Sequence, residues 1–171
     1  MSEIREIVTK AVTAKGKKLF RINEKVPLSE TAEKILGCWI VNNDINTELL
    51  DDKVKINGNF EINIWYSTPN NETTNIARTI TNYEDTIKVR EIVCDTIGNN
   101  KEVVACFVKQ PNCTNACIND CTIEIEVLFE IVTEVIGETK MMVTVFGCHE
   151  TTEMFDDFEN EINENFLNED S

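Results

Sequence analysis

Histidine is almost absent from this 171-residue chain, with His149 its single example. A site built from several histidine ligands is therefore excluded, and a Ser–His–Asp triad nearly so. Glycine is sparse, at six scattered residues. They form neither the loop whose backbone N–H groups cradle phosphates nor the dinucleotide fingerprint. Basic residues are also few: 16 Lys and Arg face 31 Asp and Glu, giving a net charge of −15. With a pI near 4.4, such a surface repels phosphate, which argues against nucleic acid and against a cationic membrane-surface helix. Long apolar runs are missing too. The longest, Ile35-Leu36-Gly37-Cys38-Trp39-Ile40-Val41, is far below the roughly 20 residues a membrane helix needs, so no membrane insertion is expected. Met1-Ser2-Glu3-Ile4-Arg5-Glu6 lacks the apolar stretch of an export signal, and the protein is expected to be made and kept in a cytoplasm.

What is present divides the chain in two. Residues 150–171 hold nine carboxylates and no Lys or Arg, after a body in which strand-like alternation recurs. A segment so charged repels itself and stays solvated unless a partner orders it. Its apolar residues are nonetheless spaced. Met154, Phe158, Ile162 and Phe166 recur every four residues, with Phe155 and Leu167 beside them. That row covers one side of a helix and predicts an acidic, amphipathic docking segment. We therefore expect a β-rich self-assembly domain over residues 1–148 and an acidic docking tail, disordered or amphipathic-helical, over residues 149–171.

In the body, residues 53–64 alternate strictly. Val54, Ile56, Phe60, Ile62 and Ile64 interleave with Lys55, Asn57, Asn59, Glu61 and Asn63, which means one buried face and one wet face. Gly58 interrupts the apolar row and is expected to mark a bulge. Residues 122–135 repeat the pattern, with Ile123, Ile125, Val127, Phe129, Ile131 and Val135 opposite Glu124, Glu126, Glu130 and Glu134. Weaker strands are expected at residues 35–41, 76–83, 86–92, 103–109 and 141–146. Gly137-Glu138-Thr139 is expected to turn a tight hairpin, and residues 112–120 to form a loop. Near the start, Ile4, Ile7, Val8 and Val12 fit a helix face, yet the Thr- and Val-rich residues 8–13 favour a strand. About seven short strands imply an all-β fold, a single antiparallel sandwich or flattened barrel. Acidic pairs on such strands fall on the solvent face, where no catalytic dyad stands out.

Seven cysteines remain: Cys38, Cys94, Cys106, Cys113, Cys117, Cys121 and Cys148. An odd number cannot all pair within one chain, and without an export signal most are expected to be reduced at synthesis. Cys38 and Cys106 lie in apolar runs and read as small core hydrophobes. Cys113, Cys117 and Cys121 are spaced four apart, and Cys148-His149 could add a fourth ligand, which leaves a small thiolate metal or redox module as one alternative. The favoured reading is that Cys113, Cys117, Cys121 and Cys148 form cross-links once the environment turns oxidising. Trp39 and Trp65-Tyr66 leave a second alternative, a β-barrel that binds an apolar ligand, although core or interface aromatics are commoner.

Several strings are distinctive. Met1-Ser2-Glu3, Arg5-Glu6-Ile7-Val8-Thr9-Lys10-Ala11-Val12 and Ala14-Lys15-Gly16 open the chain. Ile35-Leu36-Gly37, Trp39-Ile40-Val41-Asn42 and Ile62-Asn63-Ile64-Trp65-Tyr66-Ser67 follow. Gln110-Pro111-Asn112-Cys113, Glu134-Val135-Ile136-Gly137-Glu138-Thr139-Lys140 and Ile162-Asn163 with Phe166-Leu167 complete the series. Taken in order, they resemble the CotE family of morphogenetic spore-coat proteins of endospore-forming Firmicutes, over nearly the whole chain. The resemblance implies a non-enzymatic scaffold, without cofactor, made in the mother cell and deposited around the forespore. It implies self-association, attachment to inner morphogenetic coat proteins, and recruitment of outer-coat proteins partly through the C-terminal region. Phe166-Leu167 and their acidic approach would be the recruiting segment. Cys113 belongs to a family-like string, whereas Cys117 and Cys121 look like additions in this chain.

Overall fold

A computed structural model describes residues 2–93 and 96–147, apart from the side chain of Asn71. The fold is all-β, as the alternation predicts. Its strands are β1 (Ser2–Pro27), β2 (Lys34–Leu49), β3 (Lys53–Ser67), β4 (Thr74–Lys88), β5 (Arg90–Glu91), β6 (Thr96–Asn119) and β7 (Thr122–Phe146). One short 3-10 turn, Pro69–Asn71, is the sole helical piece among the described residues.

The larger compact unit, Lys10–Thr139, contains two sheets, ordered β5-β1-β7-β6 and β2-β3-β4. Their inner faces meet in one core, and the two clearest strands of the sequence lie at its centre. Val54, Ile56, Phe60, Ile62 and Ile64 of β3 are wholly buried, as are Ile123, Val127, Phe129 and Ile131 of β7. Phe129 anchors an aromatic cluster. It stacks on Phe20 at 4.9 Å, tilts against Tyr83 at 4.9 Å, and meets Phe60 and Phe107 edge-on at 6.0 and 5.9 Å. Fully burying each such side chain contributes about 1.5–3 kcal/mol, which makes this layer the main stabilising feature. Buried hydroxyls bond to neighbouring backbone, Thr13 Oγ1 to the Val135 carbonyl at 3.1 Å and Thr133 Oγ1 to that of Gly16 at 3.5 Å.

The two flanks of the sandwich close differently. On one, β4 runs into β5, which crosses to pair with β1 at Ala14↔Glu91 and Lys15↔Arg90, and Lys18 bridges to Asp85 at 2.6 Å. On the other, the sheets' edge strands, β2 and β6, pack together without a ladder, and Asn43 Nδ2 donates to Gln110 Oε1 at 3.2 Å.

The described part of the other compact unit is residues 2–9 at the start of β1 and residues 140–147 at and just after the end of β7. The ion pair Arg5–Glu3 spans 3.0 Å there, and large apolar side chains stand open to solvent.

Five local expectations are corrected. The opening is strand from Ser2, well before Val8. Residues 76–83 and 86–92 are not two long strands; β4 is continuous to Lys88, and only Arg90–Glu91 pairs beyond it. Residues 137–139 form no hairpin. β7 passes straight through, because Gly137 and Glu138 pair with Lys101 and Ile97 of β6 while Thr139 pairs with Thr96. Residues 112–120 form no loop either. β6 extends to Asn119, and the reversal is the short turn at Asp120-Cys121, where Asp120 takes φ 54°. Gly58 is no bulge; it pairs regularly with Ile45 and Tyr83, and the extra residue lies in β2 between Val41 and Asp44, where Asn42 has φ 55°.

Candidate interaction surfaces

The outer face of the four-stranded sheet carries a charge ladder. Lys15–Glu134 (3.4 Å), Lys17–Glu130 (2.9 Å), Arg21–Glu126 (3.9 Å) and Lys25–Glu124 (3.6 Å) join β1 to β7. Partner numbers fall as β1 numbers rise, as antiparallel neighbours require. This is where the regular glutamates of β7 go: they neutralise β1 at a wet surface. Elsewhere, Glu102 raises the Lys10 pKa by hydrogen bonding to it, and Glu84 does the same for Lys55. The hydrogen bond from Lys18 holds Asp85 below the usual carboxylate range. Nothing in this pattern concentrates a reacting group.

The outer face of the three-stranded sheet differs in kind. Three rows cross it: Gly37–Trp65–Ile76, Trp39–Asn63–Arg78 and Val41–Glu61–Ile80. Trp39 and Trp65 face each other with ring centroids 6.0 Å apart, yet remain 49% and 42% exposed, and Ile80 is 67% exposed. Gly37 makes this possible. A Cβ there would stand 2.8 Å from the Trp39 ring, so the bare backbone lets the indole lie flat on the sheet. Sequence reading left the two tryptophans between a cleft and an interface. Parity along β3 decides for Trp65: Ile64 and Tyr66 point inward, so Trp65 points out. The interior that a barrel ligand would occupy is filled by Phe60, Phe129 and their neighbours. A surface cleft of ≈ 350 Å³ at Lys10, Lys101 and Glu138 is lined largely by charged and amide groups, and one of ≈ 490 Å³ by Leu19, Phe20, Ile22 and Tyr83 together with Arg21, Asn82, Glu84 and Asp85.

In the smaller unit, Ile4, Val8, Met142 and Phe146 are exposed, Phe146 at 77%. Sequence reading placed strands there without noticing that both faces would be open.

The cysteine row does not converge. Cys113 is half-buried against the core, whereas Cys117 on the same strand and Cys121 at the turn are exposed. Cys117 Sγ lies 3.9 Å from Asn115 Oδ1, and Cys121 Sγ 3.9 Å from Thr31 Oγ1. Among the described residues, no group of three or more His, Cys, Asp and Glu side chains is arranged around a common point. Cys106, read as a core hydrophobe, is exposed on β6, because Ala105 and Phe107 take the inward positions. Cys113 instead meets Cys38, on β2. Burial first, and the neighbouring Cys113 second, push the Cys38 thiol up to about 12. Cys94, Cys148, His149 and the spaced residues Met154, Phe155, Phe158, Ile162, Phe166 and Leu167 lie outside the described residues.

The described residues thus form a β-sandwich with a solvated charge face and an open aromatic patch, and an acidic C-terminal segment follows in the sequence. Residues 3–170 match the family model of outer spore coat protein E (CotE). The chain belongs to that family, which associates it with sporulation and the spore coat. No curated protein and no solved structure matches it.

Proposed function

We propose that this chain is a non-enzymatic scaffold of the spore coat, which self-associates through its exposed apolar surfaces and recruits other coat proteins through its acidic C-terminal segment. The family match over residues 3–170 carries the reading. Exposed apolar side chains in each compact unit support it, the Trp39–Trp65 patch in the larger and those around Val8 and Phe146 in the other. Contiguous apolar surface of this kind marks association sites. One self-complementary patch closes a dimer, whereas two distinct patches allow growth to continue. The assembly would be laid down from the mother-cell cytoplasm on the forespore surface, against inner morphogenetic coat proteins. There the spaced residues Met154, Phe158, Ile162 and Phe166 would dock outer-coat partners, and multivalency would multiply weak contacts. Exposed Cys117 and Cys121 would then lock neighbouring chains as the environment oxidises.

Light-scattering mass after size exclusion, under reductant, tests the scaffold reading. The full chain should form large assemblies, and Trp39→Ser with Trp65→Ser should reduce them to small closed oligomers. Strict monomers from the unaltered chain would overturn it. For the covalent lock, coat extracts should release the chain only with reductant, and equal release without it would remove that step.

A further inference from the structure

We infer that Cys38 and Cys113 form a latent disulfide site within one chain, stapling the two sheets together where their edge strands pack. The sandwich is weakest in backbone pairing on this flank, since β2 and β6 are both sheet edges joined by no ladder. Asn43 and Gln110 fix the strands' relative position with their 3.2 Å hydrogen bond. Cys38 stands five residues before Asn43 on β2, and Cys113 three residues after Gln110 on β6. Both cysteines point inward. Cys38 sits opposite Ile64 in the β2–β3 ladder, Cys113 opposite Val127 in the β6–β7 ladder, and both pack on the same core. The Cys113 side chain lies near enough to act on the Cys38 thiol, and Cys113 Sγ lies 3.6 Å from the Asn115 carbonyl, its partner while the two sulfurs are unbonded. Cys106, Cys117 and Cys121 are exposed instead.

The reaction requires an oxidant, and a low-molecular-weight disulfide supplies it by exchange. Cys113 loses its proton, attacks one sulfur of that disulfide, and the S–S bond breaks to release one small thiol. Cys38 then gives up its proton and attacks Cys113 Sγ in the mixed disulfide, releasing the second small thiol. Two protein thiols lose two hydrogens in total, and one small disulfide becomes two thiols. Cys113 is the natural entry point, because burial keeps the Cys38 thiol protonated. The inference concerns a bond inside one chain and stands apart from the proposed assembly; it also takes Cys113 out of the set available for intermolecular links.

The test uses the full-length chain with Cys117→Ser and Cys121→Ser, so that the tryptic peptide of Cys113 holds no other thiol. It is treated when dilute with oxidised glutathione and digested without reduction. The expected product is a monomer on a non-reducing gel whose Cys38 and Cys113 peptides are joined, two hydrogens lighter than their sum. Its thermal midpoint should rise by roughly 5–10 °C over the reduced form, because the bridge closes a long loop. That rise should vanish in Cys38→Ser and in Cys113→Ser, each of which replaces only one small, half-buried thiol. Glutathione left on Cys113 with Cys38 still free, or Cys113 joined to any other cysteine, would overturn the assignment.

Discussion

Tyr83 reaches from β4 across β3 to donate its hydroxyl to the Asp44 carbonyl of β2, 3.0 Å away, and only glycine between them leaves room. A Cβ on Gly58 would lie 2.0 Å from that carbonyl and 2.5 Å from the Tyr83 hydroxyl. Alanine in place of a strand glycine ordinarily stabilises by about 0.5–1 kcal/mol. Here the clash includes backbone and should win: Gly58→Ala is expected to cost about 1–3 kcal/mol, read as a fall in denaturant midpoint with unchanged slope. The same environment, burial first and the Asp44 charge second, pushes the Tyr83 phenol up from 10.0 to about 12. A group that holds its proton more tightly when folded lets the unfolded chain ionise first, so stability is intact below pH 10 and falls between about pH 10 and 12. Urea titrations of the parent across that window should show the loss, and Tyr83→Phe should flatten it. Gly58 was visible in the sequence as an irregularity. Its cause was not, because Asp44 and Tyr83 meet it only after two hairpins have formed.

β7 shows what alternation makes legible and where it stops. Its inward residues Ile123 to Ile131, and Val135, were readable one by one, because apolar residues recur at every second position there and only Thr133 interrupts them, and a central strand has neighbours on both sides. Gly137-Glu138-Thr139 imitated a turn, yet a ladder partner on β6 outweighs local turn chemistry. β6 defeated the reading for a different reason. It is an edge strand with register shifts near Lys101, Lys109, Asn112 and Asn115, and each shift breaks the period of two. Pro111 is tolerated there because an edge strand needs no donor on its outer side. Energetically, the two faces of β7 should separate cleanly. Phe129→Ala removes the hub of the aromatic cluster and should cost about 3–5 kcal/mol, roughly 10 °C in thermal midpoint. Lys17→Gln removes one exposed member of the charge ladder and should shift the midpoint by only about 1 or 2 °C, since such pairs contribute little in water. Calorimetry of both variants checks the contrast, and similar losses from the two would mean that the ladder, not the core, fixes the sheet.

For the whole molecule, charge and apolar surface act in opposite directions on assembly. Residues 150–171 carry nine negative charges, and the remaining 22 Asp and Glu against 16 Lys and Arg leave −6 for residues 1–149. The family was legible from strings spread along the chain, and so were the charge imbalance and the spaced apolar row in residues 150–171. The outward Trp39–Trp65 pair was legible only in part, through strand parity. The Cys38–Cys113 meeting was not legible, since it depends on how two sheets stack. If the apolar surfaces drive self-association, like-charged chains must approach against repulsion that salt screens. Raising ionic strength from about 0.01 M to about 0.15 M shortens the screening length from about 30 Å to about 8 Å. Light-scattering mass of the reduced full chain should therefore grow over that range. A chain ending at Cys148, which keeps every described strand and loses all nine charges of residues 150–171, should assemble already at the low end. Assembly held together by ion pairs predicts the reverse, a mass that shrinks as salt rises, and would move the contact from the tryptophan face to the charge ladder.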